Sequence, residues 1–276
     1  MDINLFTIAT HEDGYFKLLL DSCKRYNIKI DVIGYGEKYT GHIFKIKKTI
    51  EYLRSKKSNS IILFVDAFDS IIIDNINNIK NKFINMNIPY LFSEDLKLSY
   101  KKNLLFWILH KLKLDKNQFF YNTRPCIQNN KMFIINSGMF IGYCSKLLEL
   151  FNLAESYINE TNKDSNQRVL QDMCNDNIEF HTDVNKVIFY NTRLNELKKL
   201  KTKGSKIVVN NYSSSIISAP GNNNLSYLIK YLNYDISKII KRKKYYEFYP
   251  NKIKRKFKRY FYIVIFLIII YLIYII

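Results

Sequence analysis

Two aspartates three residues apart, at the end of a strongly apolar run, are the sharpest chemical signal in this chain. The run Ile61 to Val65 (IILFV) leads straight into Asp66-Ala67-Phe68-Asp69. Phe64 and Val65 belong to the buried part of a strand, so Asp66 emerges at its carboxyl end. Two carboxylates on one turn can face the same way, and like charges that close need a cation between them. A hard divalent ion, Mn2+ or Mg2+, would hold both and offer its open positions to a diphosphate. The structural alternative is that Asp66 caps a helix and Asp69 stands in solvent. Gly34-Tyr35-Gly36 follows the second strand rather than the first, so it is no dinucleotide fingerprint.

The elements that must position this turn are legible around it. Residues 3–9 (INLFTIA) form a short apolar run, read as a first buried strand. Phe16, Leu19, Leu20 and Cys23 recur at i, i+3, i+4 and i+7, one face of a helix. Residues 29–33 (KIDVI) read as a second strand, Ile43, Ile46, Ile50 and Leu53 as a second helix, and Ile61 to Val65 as a third strand. Strand and helix in strict alternation with short joints predict a parallel, doubly wound sheet, which binds ligands beyond the carboxyl ends of its strands. Further on, Pro89 to Phe92 and Phe133 to Ile135 read as strands, and Ser145 to Tyr157 and Asp164 to Cys174 as helices. Residues 180–217 suggest short antiparallel strands, and 219–224 (APGNNN) a loop.

Composition bounds the partners. The net charge is +19, and residues 238–259 hold eleven basic residues against one acid, Glu247. The other lysines are scattered among asparagines and isoleucines with no basic helix to concentrate them, so no nucleic-acid partner is expected. The final run, 260–276 (YFYIVIFLIIIYLIYII), has no charge, Gly or Pro. At 1.5 Å per residue it reaches about 25 Å, the short end of a membrane span. The organisation expected is a domain over 1–235, a basic juxtamembrane segment over 236–259 and a C-terminal transmembrane anchor over 260–276. Basic flanks stay cytoplasmic, and the N-terminus has neither a basic n-region nor a long apolar stretch. A single-pass membrane protein with a cytosolic main domain is therefore expected. Cys23, Cys126, Cys144 and Cys174 have no CxxC spacing and read as reduced, partly core thiols.

Several segments, in order, resemble the glycosyltransferase domain of the procollagen-lysine hydroxylases and, more distantly, the procollagen galactosyltransferases. Thr7-Ile8-Ala9-Thr10 is similar to the first strand and its turn, and residues 33–39 (IGYGEKY) to the "LGxGxxW" segment. Residues 62–69 (ILFVDAFD) resemble the "ILFxDxYD" metal motif, 89–94 (PYLFSE) the "VVFSAE" strand, and 136–143 (NSGMFIGY) the "GSGGFIGY" loop. The resemblance covers roughly residues 3–234. It implies a GT-A fold: an α/β, mixed but largely parallel sheet flanked by helices. It also implies metal-dependent transfer of a hexose, glucose or galactose, from a UDP-sugar to a protein or small hydroxyl acceptor.

The resemblance assigns roles residue by residue. Asp66 and Asp69 would hold Mn2+ or Mg2+. Thr10, Tyr39 and Val65 would hold the uridine with Phe68 beside it, and Tyr39 takes the place of a stacking Trp. Lys45 would approach the diphosphate, and Asn136, Ser137 and Gly138 would frame the sugar. Two positions depart from the pattern. Where the family places a histidine ligand in a late loop this chain has Ser218, and the acidic "DDQ" appears as Ser165-Asn166-Gln167, with Asp164 just before. Ser218 is thus the expected third metal ligand, and Asp164, Asn166 and Gln167 the expected catalytic segment. The alternative function is a catalytically weak or inactive membrane-attached binding module on the same fold.

Overall fold

The computed structural model describes residues 1–95, 125–128, 131–161, 165–192, 194–197, 200–203, 206–209, 211–220 and 225–240. In chain order its strands are β1 (Ile3–Ile8), β2 (Ile30–Ile33), β3 (Ile61–Val65), β4 (Ser70–Ile72), β5 (Tyr90–Glu94), β6 (Cys126–Gln128), β7 (Lys131–Phe133), β8 (Ile135–Tyr143), β9 (Phe189–Asn191), β10 (Lys201–Lys203), β11 (Lys206–Val208) and β12 (Ile216–Ser218). Its helices are α1 (Phe16–Arg25), α2 (His42–Arg54), α3 (Ile76–Ile84), α4 (Cys144–Thr161), α5 (Asn166–Asn175), α6 (Leu194–Leu197) and α7 (Ser226–Tyr231).

The main sheet runs in the order β2-β1-β3-β8-β5. β1 pairs parallel with both β2 and β3, as strict alternation with helices requires, while β8 runs antiparallel between β3 and β5. The fold is therefore mixed α/β. All five residues of β3 are buried, because both sheet faces are covered and the strand must be apolar on each. Phe6, Ile62, Phe64, Phe92 and Phe140 pack on one face with α2 and α4 residues such as Ile50, Leu53, Leu147 and Phe151. Leu5, Leu63, Val65, Leu91 and Ile141 pack on the other with Leu19 and Cys23 of α1 and Ile79 and Phe83 of α3. The period-2 alternation along each strand builds both cores at once.

Four expectations need correction. Residues 136–143 are not a loop but most of the nine-residue β8, whose backbone is hydrogen-bonded on both sides. Its glycines serve close packing: a Cβ on Gly142 would lie 2.6 Å from Cβ of Tyr90. The segment after Asp66 is a turn into β4, so no helix exists there for Asp66 to cap. In 180–217 the pairing is mixed: β9 runs parallel to β12, while β12–β4 and β10–β11 are antiparallel. Finally, Cys126 and Cys174 form a disulfide joining β6 to α5, with Cα atoms 5.8 Å apart, whereas Cys23 and Cys144 are free and buried. A separation of 48 residues gives no hint of that proximity until β6 packs beside α5.

Among the described residues no helix is long and apolar enough to cross a membrane. The expected anchor at 260–276, the basic segment beyond residue 240 and Asp164 lie outside the described residues.

Candidate active site

The site is assembled where the carboxyl ends of β1, β2 and β3 meet. The Ala9 N–H donates to the Ile33 carbonyl, and the Gly36 N–H to the Thr10 carbonyl, which ties the turn after β1 to the turn after β2. The Thr10 hydroxyl lies 2.9 Å from Nδ1 of His11, whose ring centre is 5.4 Å from that of Phe68. Phe68 is fixed from behind by Gly14. That glycine has φ of +51°, and a Cβ there would stand 2.3 Å from the Phe68 carbonyl oxygen, which also accepts the Tyr15 N–H. Only glycine meets both demands without strain.

Tyr39 is half-buried and meets Phe44 edge-on, the ring centres 5.7 Å apart. The more exposed aromatic in this region is Tyr35, stacked on Phe16 at 6.1 Å. The Val65 side chain belongs to the core and its carbonyl accepts the Thr7 hydroxyl at 2.7 Å, so only its backbone borders the site.

Asp66 and Asp69 point into different sets of partners. The Asp66 N–H donates to the Gly138 carbonyl at 2.7 Å, and Oδ2 pairs with Nζ of Lys45 at 2.6 Å. Asn136 and Gly138 close over this carboxylate. Oδ1 of Asn136 accepts the Gly138 N–H and the Ser93 hydroxyl, and a Cβ on Gly138 would lie 2.9 Å from that oxygen and 3.7 Å from Oδ2 of Asp66. Ser137 is half-buried between them. A bulge at Phe92/Ser93 sets the pairing of Ser93 with Asn136. Asp69 is buried, and its Oδ1 accepts the hydroxyls of Ser218 (3.2 Å) and Ser70 (3.3 Å). β12 brings Ser218 there by pairing with β4, which places Ser218 opposite Ser70.

Two carboxylates and a hydroxyl are hard oxygen donors, the chemistry that suits Mg2+ or Mn2+. Among the described residues no group of three His, Cys, Asp or Glu side chains could hold a metal ion. The donor set therefore fits such an ion only with the Ser218 hydroxyl or water completing it.

The segment expected to act at the sugar is only partly in view. Asn166 is buried at the start of α5, with Oδ1 accepting the Gln167 N–H. Nε2 of Gln167 donates to Oδ2 of Asp95 at 2.8 Å. Asp95, one residue past β5, was missed, though a carboxylate just beyond a strand end was the cue that found Asp66. Asn191 was missed too. It sits in register with Ser218, its Nδ2 donates to the Glu94 carbonyl, and its buried Oδ1 has no hydrogen-bond partner among the described residues. No local signal marks an asparagine at the end of a three-residue strand.

The mixed sheet thus carries an acidic turn beyond its central strand β3, faced by Asn136–Gly138. A family profile described as "PLOD GT domain" matches residues 1–245, and the chain belongs to that family. It is similar to the procollagen-lysine,2-oxoglutarate 5-dioxygenase of Drosophila melanogaster, 28% identical over 158 residues covering 54% of this chain and 20% of the relative. It is also similar to the multifunctional procollagen lysine hydroxylase and glycosyltransferase of Caenorhabditis elegans, 26% identical over 162 residues covering 55% and 20%. The chain thus spans about a fifth of the length of the curated relatives it matches. Among solved structures it is similar to a glycosyltransferase involved in the glycosylation of the major capsid of PBCV-1, at 13% identity, 82% and 97% coverage and a TM-score of 0.48. A second is the galactosyltransferase LgtC in complex with donor and acceptor sugar analogues, at 10% identity, 80% and 88% coverage and a TM-score of 0.44.

Proposed function

We propose that this domain transfers a hexose, glucose or galactose, from a UDP-sugar to a hydroxyl of a protein or small acceptor, with Mn2+ or Mg2+ held by Asp66, Asp69 and Ser218. The observation that carries the reading is the meeting of Asp69 with Ser218, 149 residues apart, at the corner where the acidic turn and the late strand converge. When bound, the ion supplies Lewis-acid neutralisation of the departing UDP. The chain's own residues do the rest. The tied turns after β1 and β2 present Thr10 and Tyr39 to the uridine, and the turn after β3 adds Phe68. Asn136, Ser137 and Gly138 offer backbone and amide groups to the sugar. Gln167, held by Asp95, lies on the acceptor side with Asn166, and Asp164 belongs to the same segment.

A second reading, a membrane-attached module that binds nucleotide without turnover, is favoured by Asn166. An amide cannot take the acceptor's proton, and here its oxygen already accepts a backbone N–H. The proposal extends to an anchor at 260–276 with the domain in the cytosol. The Cys126–Cys174 disulfide argues the other way, because such bonds persist in oxidising compartments. Thiol labelling of these cysteines in intact cells decides between the two.

The experiment is calorimetric titration of UDP into the full chain, with and without Mn2+ and at two salt concentrations, beside the Asp66→Asn/Asp69→Asn variant. Metal-dependent binding lost in the variant supports the site, and hydrolysis of the donor sugar then separates the enzyme from the module. Absence of UDP binding under every condition sinks both readings.

A further inference from the structure

We infer that Asp95 is the general base of the transfer: its carboxylate takes the proton of the acceptor hydroxyl, a role that rests on the transferase reading above and supplies what Asn166 lacks. The acceptor oxygen bonds to the anomeric carbon of the hexose as the bond from that carbon to UDP breaks. UDP leaves with the bonding electrons, and the proton passes from Asp95 to solvent.

Three hydrogen bonds place this carboxylate. The Asp95 N–H donates to the Ile134 carbonyl, one step beyond the β5–β8 pairing that ends at Glu94 and Ile135. Nδ2 of Asn191 donates to the Glu94 carbonyl and so holds the peptide that joins Glu94 to Asp95. Nε2 of Gln167 donates to Oδ2 of Asp95 at 2.8 Å and sets the direction of the carboxylate. A base must be oriented in this way to act. A carboxylate has two oxygens and about four lone-pair sites, so it can hold Gln167 and still receive a proton.

The topology puts Asp95 on the side of the sugar that a base requires. β3 and β5 both run antiparallel to β8, so they run the same way, and Asp66 and Asp95 follow their carboxyl ends at one edge of the sheet. β8 lies between them in the strand order, and its residues 136–138 stand between the two aspartates. The Gly138 carbonyl accepts the Asp66 N–H, and the hydroxyl of Ser93, two residues before Asp95, donates to Oδ1 of Asn136. A hexose framed by Asn136, Ser137 and Gly138 has the departing diphosphate on one side and Asp95 on the other. Attack then comes opposite the leaving group, and the anomeric centre inverts.

Water and azide serve as acceptors in the test. Water must lose a proton as it attacks, whereas the azide anion needs no base. The full chain, Asp95→Asn and Asp95→Ala are compared with Mn2+ and UDP-glucose or UDP-galactose, with and without azide, and UDP binding is measured by calorimetry. Asp95→Asn keeps an oxygen for Gln167, so it is expected to bind UDP as wild type does while hydrolysing the donor at least about 100-fold more slowly. In Asp95→Ala, where truncation makes room, azide is expected to restore turnover and give the hexosyl azide of the anomer opposite to the donor's. Hydrolysis at the wild-type rate in Asp95→Asn overturns the inference and leaves the transferase reading standing. So does a loss that azide does not repair, which marks a structural role, or a hexosyl azide with the donor's own configuration. An azide-repaired loss found in Asp164→Asn instead, with Asp95→Asn turning over normally, assigns the base to Asp164 and equally overturns it. Wild type that binds UDP but hydrolyses neither donor leaves the module without turnover and removes the inference. Wild type that binds no UDP removes the transferase reading as well.

Discussion

The Ser218 hydroxyl donates to Oδ1 of Asp69 at 3.2 Å, joining the end of β12 to the acidic turn that precedes β4. Together with the β12–β4 pairing and the Ala219 N–H on the Asp69 carbonyl, this contact joins two distant segments at the proposed metal corner, and it is made by a hydroxyl where the family resemblance points to an imidazole. Ser218→Ala deletes this donor, while the Ser70 hydroxyl still donates to the same oxygen. The expected result is a loss of about 1 kcal/mol of stability and severalfold weaker Mn2+ binding in the presence of UDP. Denaturant unfolding and metal titration of the variant measure the two effects separately.

Gly14→Ala attacks the same region from behind. A methyl group at φ of +51°, 2.3 Å from the Phe68 carbonyl oxygen, forces the turn to move. The expected cost is about 2 kcal/mol, a fall in Tm of about 4–8 °C for a domain of this size. UDP affinity is expected to fall too, because the displaced backbone carries Phe68. A variant that melts normally and binds UDP normally contradicts this account of the turn.

The Cys126–Cys174 bond closes a loop 48 residues apart in sequence. On the chain-entropy view such a loop stabilises by about 4 kcal/mol. Reduction, or Cys126→Ser with Cys174→Ser, is expected to lower the denaturant midpoint without changing the native fold. Melts of the wild type with and without reductant check it, and identical melts count against the bond.

Asp74 offers a pH test away from the site. Its partial burial pushes its carboxyl pKa up, but hydrogen bonds from Asn78 and Ser215 and the Lys82 ammonium outweigh this and hold it below the ordinary 3.8. A folded pKa below the unfolded one contributes stability at pH above the unfolded value, and that stability is lost as pH falls through the folded value. Asp74→Asn is therefore expected to be less stable than wild type at pH 7, with the gap closing below pH of about 4. Urea unfolding of both proteins at pH 7 and pH 3 reads this directly.

Periodicity carried the first half of the fold. Ile61 to Val65 gave β3 as an unbroken apolar run, buried on both faces, and the 16–23 and 43–53 faces gave α1 and α2 because each buries one apolar face in a pattern that two or three turns make plain. The structure widened the α1 face to include Leu18 and Ser22. β8 was hidden because Gly138 and Gly142 look like loop residues, and their role is to admit Asn136 and Tyr90 rather than to turn the chain. In the site, Asp66 was visible as a carboxylate ending an apolar strand, whereas Ser218 was reached only through the family resemblance. The pairings of Lys45 with Asp66, Asn191 with Glu94 and Gln167 with Asp95 are tertiary contacts, and no local spacing encodes them.

Residue 240 is not remote from any of this. The Ile240 N–H donates to the Gly14 carbonyl, and the next residue, Tyr15, is hydrogen-bonded to the Phe68 carbonyl. Tension applied to the chain beyond Ile240 therefore reaches the Phe68 turn through two backbone hydrogen bonds, without first crossing the main sheet. Whatever holds residues beyond 240, a surface or a bead in a force experiment, pulls on the rim of the proposed donor pocket.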